Sequence, residues 1–336
     1  MRALWTVVGA LSLPAVLPAQ EAAPAAAAAE PQLRVPRGLT GPVPGAPGFR
    51  PAVAALGRTL FADPILSVDH KTSCASCHRP DHGFASPEPR PAGSLGRRSL
   101  RHAPTLFNRA WGKAFSWDGK AQTLERQVLL PISDPNEMAL PLRDAVERVR
   151  RSPGYGPRFQ ALFGRAPAAD DLATALASYL RTVVHGDTVV DQFRAAQGSH
   201  LTTAERAGLW IFESKGRCWR CHGGANFTDE AFHNTGVGVE AGVPRPGRMA
   251  ITRRDADLGR FKTPTLRGLA LTPPYMHDGS IPTLRGVVDF YRRGGNPNRN
   301  LDPVLQPVSL TDAEADNLVA FLRALSRPAV AGGARK

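Results

Sequence analysis

The chain has 336 residues, of which 42% are hydrophobic and 21% are charged, a composition typical of globular proteins. Its formal net charge is +13, but the arginines are scattered and form no dense basic run, which argues against a nucleic-acid partner. No stretch beyond the N-terminus approaches the roughly 20 apolar residues of a membrane-spanning helix, which argues against an integral membrane segment.

The first 48 residues contain two segments without globular character. Residues 1–20 are typical of a signal peptide, because Arg2 precedes a mostly apolar stretch that is followed by small and turn-forming residues. Export predicts that the protein works in the periplasm. Residues 21–48 are rich in Ala and Pro without apolar periodicity, so we predict a flexible linker there. A short tail is predicted at residues 329–336.

Two cysteine motifs indicate the cofactor. Apolar spacing predicts a helix from Pro51 to Phe61 that leads into Cys74-Ala-Ser-Cys77-His78. The pattern recurs as Cys218-Trp-Arg-Cys221-His222, and the two copies use all four cysteines. Cys-x-x-Cys-His is the attachment site of c-type haem: its thiols add to the two vinyl groups of one porphyrin, and its histidine binds the iron. We therefore predict two covalently bound c-type haems.

Three alternatives exist for these cysteines. A zinc site needs more Cys or His ligands at matching spacing, and a thioredoxin-like pair does not carry a histidine twice in one chain. Two disulfides would be usual for an exported protein with four cysteines, but they would leave the repeated spacing without a reason. The repeat therefore favours haem.

The rest of the chain is predicted to be helical. One helix opens at Pro141 and another covers residues 170–183, while Thr-x-x-Glu capping boxes start helices at Thr202 and Thr311. Long strand-like alternation is absent.

We therefore predict an all-α fold of two c-type cytochrome domains. The N-terminal haem domain covers residues 49–198 and the C-terminal haem domain residues 199–328. Each domain holds one haem, and the two haems face a shared interface.

Five stretches resemble the bacterial di-haem cytochrome c peroxidase and MauG superfamily over nearly the whole chain after the predicted signal peptide. They read LGRTLFADPILS, HAPTLFN, SWDGKAQTLERQVLLPISDPNEM, FKTPTLRGLALTPPYMHDG and TLRGVVDFY, in this order. The resemblance implies that the haem at His78 reacts with peroxide and that the haem at His222 handles electrons.

The resemblance also implies roles for three residues around the first haem. Trp117 matches the tryptophan that lies between the two haems in this family. Gln127 and Glu137, ten and twenty residues further on, match its distal-pocket residues. Glu137 would move a proton during peroxide cleavage if burial raises its pKa, and Gln127 would hydrogen-bond the bound oxygen.

Three residues compete as the distal ligand of the second haem: Met249, Met276 and Tyr291. Periodicity from Leu284 places Tyr291 on the buried face of a helix, which is equally typical of a core tyrosine. The resemblance favours Tyr291, because MauG-like enzymes have Tyr at this position whereas conventional peroxidases have Met.

The match is weaker in two places. Conventional relatives have a histidine after the first haem that blocks the peroxide site until reduction, and the candidates here are His82 and His102. His102 also replaces the family's asparagine beside a calcium ion whose other ligands match the backbone carbonyls of Thr272 and Pro274. Since histidine is a poor ligand for calcium, the resemblance implies a calcium ion whose coordination differs from that of the relatives.

The function that the resemblance implies is a periplasmic oxidoreductase. It would use hydrogen peroxide to form a high-valent di-haem state and would oxidise a partner protein or an electron donor. One alternative is a conventional cytochrome c peroxidase that takes electrons from a small cytochrome. A further alternative is a di-haem electron carrier without catalysis.

Overall fold

A computed structural model describes residues 32–196 and 200–329. The predicted signal peptide, residues 21–31 of the predicted linker and residues 330–336 of the predicted tail lie outside the described residues. The helices of the described part are α1 Pro51–Ala62, α2 Cys74–Cys77, α3 Leu124–Ser133, α4 Leu142–Arg151, α5 Gly156–Phe163, α6 Ala169–Leu180, α7 Val189–Arg194, α8 Thr203–Glu213, α9 Met249–Thr252, α10 Leu284–Arg292 and α11 Asp312–Ala324. No helix among these residues is both long enough and apolar enough to cross a membrane.

The prediction of a helical fold is confirmed. Among the described residues, the strands are limited to β1 Phe232–His233 and β2 Phe261–Lys262, which pair antiparallel. The predicted capping boxes are present, since Thr202 and Thr311 each accept a hydrogen bond from the backbone N–H of the glutamate three residues later.

Two hydrophobic clusters divide the described residues into two lobes. The first extends from Val53 to Val183 and the second from Val189 to Leu325. The predicted boundary between residues 198 and 199 lies outside the described residues. In this structure the core of the second lobe already includes Val189 and Val190 of α7.

Each lobe contains a pair of helices that cross at a glycine. A Cβ at Gly57 of α1 would overlap the carbonyl oxygen of Ala175 in α6, and a Cβ at Gly208 of α8 would overlap that of Asn317 in α11. The missing side chain lets the two backbones touch, and a larger residue would overpack the crossing. The helix that precedes each haem motif is thereby fixed against its own lobe.

The expectation of a flexible linker is wrong for residues 32–48, which pack against both lobes. Leu39 and Val43 are buried. The carbonyl oxygens of Gly38 and Pro44 accept hydrogen bonds from Arg267 and Arg181, at 2.8 and 3.1 Å. The low-complexity composition hid this packing because its partners are side chains far along the sequence.

A buried ion pair holds this segment. Arg267 and Asp191 are 1% and 2% exposed in their side chains, and both guanidinium Nη atoms lie 2.9 Å from the Asp191 carboxylate. Arg267 Nε also donates to the carbonyl oxygen of Ala225, 2.9 Å away, in the loop after the second haem motif. The pair therefore joins α7, the N-terminal segment and a haem loop.

We expect Asp191→Ala to lower the free energy of unfolding by about 3–5 kcal/mol, because it leaves Arg267 buried without a counter-charge. Denaturant unfolding of the haem-loaded protein measures the change. The control is Asp144→Ala, which removes a contact to Arg143, 92% exposed, and should cost at most about 1 kcal/mol. Equal losses in the two variants would contradict this assignment.

Candidate haem sites

The first cysteine motif presents His78 in the orientation that an iron ligand needs. Cys74–Cys77 form the short helix α2, and the backbone N–H of His78 bonds to the carbonyl oxygen of Cys74 at 2.9 Å. His78 Nδ1 lies 3.1 and 3.0 Å from the carbonyl oxygens of Phe84 and Pro104. Since a carbonyl only accepts, Nδ1 carries the proton and the lone pair is on Nε2.

The second motif repeats this arrangement. The backbone N–H of His222 bonds to the carbonyl oxygen of Cys218 at 2.9 Å, and His222 Nδ1 lies 3.0 Å from the carbonyl oxygen of Phe227. Burial lowers the pKa of both His78 and His222, which keeps the imidazoles neutral and able to bind a metal.

The cysteines are free thiols, as covalent attachment of haem requires. Burial raises the pKa of Cys74, Cys77 and Cys218 to about 12. The fold therefore keeps Cys74, Cys77 and Cys218 as neutral thiols, and no disulfide links the four cysteines.

One group of side chains has the composition of a metal site, but its hydrogen bonds favour an ion pair instead. Cys221, Asp229 and His233 bring their ligand atoms within 4.8 Å of one another. His233 Nε2 lies 2.9 Å from Asp229 Oδ2, and His233 Nδ1 lies 2.6 Å from Asp302 Oδ2. Hydrogen bonds to Asp229, Cys221 and Asp302 raise the pKa of His233 to about 11. An imidazolium has no lone pair for zinc.

A large cavity adjoins the second motif and is called the second cavity below. Its volume is about 1720 Å³, including the space open to solvent, and its wall includes Cys218, Cys221, His222 and Tyr291. Both thiols, the imidazole and a phenol thus line one space, and these groups fit a covalently attached porphyrin.

The structure separates the three candidates for the distal ligand. Tyr291 lies on α10 and lines the cavity, as does Met276. Met249 begins α9 and is not part of the cavity wall. Burial raises the pKa of Tyr291 above its usual range, and a hydrogen bond with Thr235 opposes that shift.

Glu137 belongs to the first lobe. The charge of its carboxylate contributes, after burial, to the raised pKa of Cys74 and Cys77. Burial, assisted by the charge of Asp134, raises the pKa of Glu137 to about 7. The condition that the sequence set for a proton-transfer role is therefore met.

Gln127 and Trp117 belong to one connected segment. Gln127 Oε1 accepts a hydrogen bond of 2.8 Å from the hydroxyl of Ser116. Trp117 Nε1 donates to the carbonyl oxygen of His102 at 2.8 Å, and its ring lines the second cavity. Gln127 is thus hydrogen-bonded to Ser116, the residue that precedes Trp117 in the chain.

Both candidate blocking histidines have a backbone partner. His82 Nε2 lies 2.6 Å from the carbonyl oxygen of Pro273, and His102 Nε2 lies 2.8 Å from that of Ser86. His102 is also on the wall of the second cavity, together with Thr272 and Pro274. His82 therefore contacts the residue between the two predicted calcium ligands.

Sequence reasoning missed three charged or polar residues on the cavity wall: Lys262, His233 and His277. His277 is 4% exposed, stacks on Phe261 with 3.6 Å between ring centroids and meets the Trp117 ring edge-on. His277 and Lys262 fall inside the FKTPTLRGLALTPPYMHDG stretch that resembles the family, so this stretch could have indicated them. Their burial could not be predicted, because it depends on contacts between the lobes. The position of His233 could not be predicted from the sequence, because Asp302, one of its hydrogen-bond partners, is distant in sequence.

Two Cys-x-x-Cys-His motifs with oriented histidines, one in each helical lobe, define a di-haem c-type cytochrome enzyme. The family model for di-haem cytochrome c peroxidase matches residues 51–199, and that for cytochrome c matches residues 206–326. The chain belongs to the di-haem cytochrome c peroxidase and MauG family.

Individual relatives agree with this assignment. The chain is 38% identical over 287 residues to the methylamine utilization protein MauG of Methylorubrum extorquens, covering 84% of this chain and 81% of MauG. It is 34% identical to the cytochrome c551 peroxidase of Nitrosomonas europaea, covering 82% and 80%. The solved structure of a MauG-like protein associated with microbial copper homeostasis superimposes with a TM-score of 0.79 at 31% identity, covering 87% of this chain and 94% of that one.

We expect the denatured protein to retain two haems, because thioether bonds survive unfolding. Intact-protein mass spectrometry measures the number. Replacing Cys218 and Cys221 together with serine should leave one haem, and the matched change of Cys74 and Cys77 should remove the other. Loss of both haems from either variant would contradict independent attachment.

Proposed function

We propose that this chain is an exported, MauG-like oxidoreductase that works in the periplasm. Hydrogen peroxide reacts at the first haem, and the oxidising equivalents, shared with the second haem, oxidise a partner protein or an electron donor. The observation that carries the proposal is the position of Tyr291 on the wall of the cavity that also exposes Cys218, Cys221 and His222.

When bound, the haems supply the iron that exchanges electrons with peroxide and with the partner. Glu137 holds and moves the proton. With a pKa of about 7, its carboxyl is populated in both protonation states near neutral pH. It can take a proton from peroxide at one oxygen and return it at the other, which is general acid–base catalysis.

Gln127 orients rather than transfers protons. The hydroxyl of Ser116 occupies its Oε1 at 2.8 Å, which fixes the amide plane and identifies Nε2 as the donor side. We propose that this N–H group hydrogen-bonds the bound oxygen.

Trp117 provides the connection between the lobes. Its indole is held by the carbonyl oxygen of His102, and its own carbonyl oxygen accepts a hydrogen bond of 2.8 Å from the backbone N–H of Lys262 in the second lobe. A rigidly held indole with partners in both lobes is suited to long-range electron transfer.

Tyr291 sets the character of the second haem. A phenolate is a hard anionic donor that favours the oxidised iron, whereas a thioether raises the reduction potential. We propose that Tyr291 would serve as the distal ligand of the second haem, in addition to His222. Burial raises the pKa of the free phenol, so Tyr291 is protonated when no metal binds it.

A conventional cytochrome c peroxidase that takes electrons from a small cytochrome is the second candidate. Met276 also lines the cavity, so a thioether is available on that wall as an alternative ligand. The predicted calcium ion is compatible with both candidate functions, the MauG-like oxidoreductase and the conventional peroxidase. We propose that the carbonyls of Thr272 and Pro274 contribute to it, with His82 close to the same segment.

Tyr291→Phe should change the absorption spectrum of the second haem, because it removes the proposed oxygen ligand. Met276→Leu is the matched control on the same wall and should leave that spectrum as it is. A spectrum that responds to the Met276 change and not to the Tyr291 change would support the conventional peroxidase instead.

Glu137→Gln should slow peroxide cleavage by roughly two to four orders of magnitude, because the amide cannot accept the proton. In the unchanged protein the carboxylate is the active base, so the rate should rise with pH up to about 7 and then level off. Stopped-flow mixing across this pH range tests both statements. A glutamine variant that keeps the wild-type rate or the same pH profile would exclude Glu137.

A further inference from the structure

The wall of the second cavity contains a buried ammonium group whose carboxylate partner is 3.4 Å away. Lys262 is 7% exposed and lines the cavity. Its Nζ donates to the carbonyl oxygen of Thr263 at 3.0 Å and lies 3.4 Å from Glu230 Oε1. A buried cation normally has a close anionic partner, because its removal from water is costly.

Glu230 also forms an ion pair with Arg109 of the first lobe. Arg109 binds its two carboxylate oxygens at 2.8 and 3.1 Å, and the backbone N–H of Lys113 donates to Oε2 at 3.2 Å. Lys262 is therefore the more distant of two cations that share one carboxylate. In keeping with this, burial and the charge of Arg109 lower the pKa of Lys262 to about 8.

The other carboxylates near Lys262 are occupied as well. Asp229 and Asp302 hold the His233 imidazolium between them. The Lys262 ammonium thus has one carboxylate at 3.4 Å, which it shares with Arg109, and Lys262 also lines the haem cavity.

A haem brings two carboxylates, its propionates, and the chemistry of attachment limits where they lie. The vinyl groups bound by Cys218 and Cys221 and the propionates occupy different edges of the porphyrin. Arg292 also lines the cavity, but it is bound to Asp289 and Asp312 at 3.0 Å each.

We propose that Lys262 binds a propionate of the second haem and is the positioning residue for that edge. The backbone N–H of Lys262 bonds to Trp117, and its ammonium lies beside the Glu230–Arg109 pair. The same residue therefore fixes the haem edge relative to Trp117 and to the first lobe. The inference requires the second haem and is independent of the peroxide chemistry.

The test uses the haem-loaded protein and two readouts other than activity. Lys262→Met should shift the propionate bending band in the resonance Raman spectrum. It should also make the second haem harder to reduce, by roughly tenfold in the reduction equilibrium constant, because a nearby positive charge is lost. Lys262→Arg retains the charge and should restore both values towards wild type.

Lys113→Met is the matched control. Lys113 also contacts Glu230, through its backbone N–H, but its charged side chain is exposed. This variant should change neither readout. If the methionine variant does not fold, Lys262→Gln removes the charge with a polar side chain and should give the same shifts. A neutral variant that keeps two haems, an unchanged propionate band and an unchanged potential would overturn the proposal.

Discussion

The hydrogen bond between each motif histidine and a backbone carbonyl is the constraint on which the rest of the structure depends. It fixes Nδ1 of His78 and of His222 as a donor, so each ring offers Nε2 to an iron. The helix before each motif is in turn fixed by a crossing at a glycine, Gly57 in one lobe and Gly208 in the other. The two lobes thus hold their motifs with the same structural elements. The side chains around the motifs differ, with buried Glu137 in the first lobe and Tyr291 on the wall of the cavity at the second motif.

The contacts between the lobes include a connected series of hydrogen bonds around Trp117. The backbone N–H of His102 bonds to the carbonyl oxygen of His277 at 2.9 Å, Trp117 donates to His102, and Lys262 donates to Trp117. Buried Arg109 and Glu230 add an ion pair across the same boundary. These contacts hold the Trp117 indole at one position at the boundary of the two lobes, as the proposed electron transfer over a fixed distance requires.

Local patterns were enough to predict much of this. The spacing of the cysteines and the capping boxes at Thr202 and Thr311 depend on neighbours within a few residues, and they appear where expected. Contacts between distant residues were not predictable. The packing of residues 32–48 depends on Arg267, and the burial that raises the pKa of Glu137 depends on the surrounding lobe. Helical periodicity placed Tyr291 on a buried face, but only the fold shows that this face borders the haem cavity.

The central claim is that the first haem reacts with peroxide in the fully oxidised protein and that the second haem, with Tyr291 as its ligand, shares the result. Rapid mixing of the oxidised protein with one equivalent of hydrogen peroxide, followed by haem absorption, tests it most directly. The account predicts an immediate change at both haems without prior reduction. A protein that reacts only after one electron has been added would contradict it and would indicate a conventional cytochrome c peroxidase.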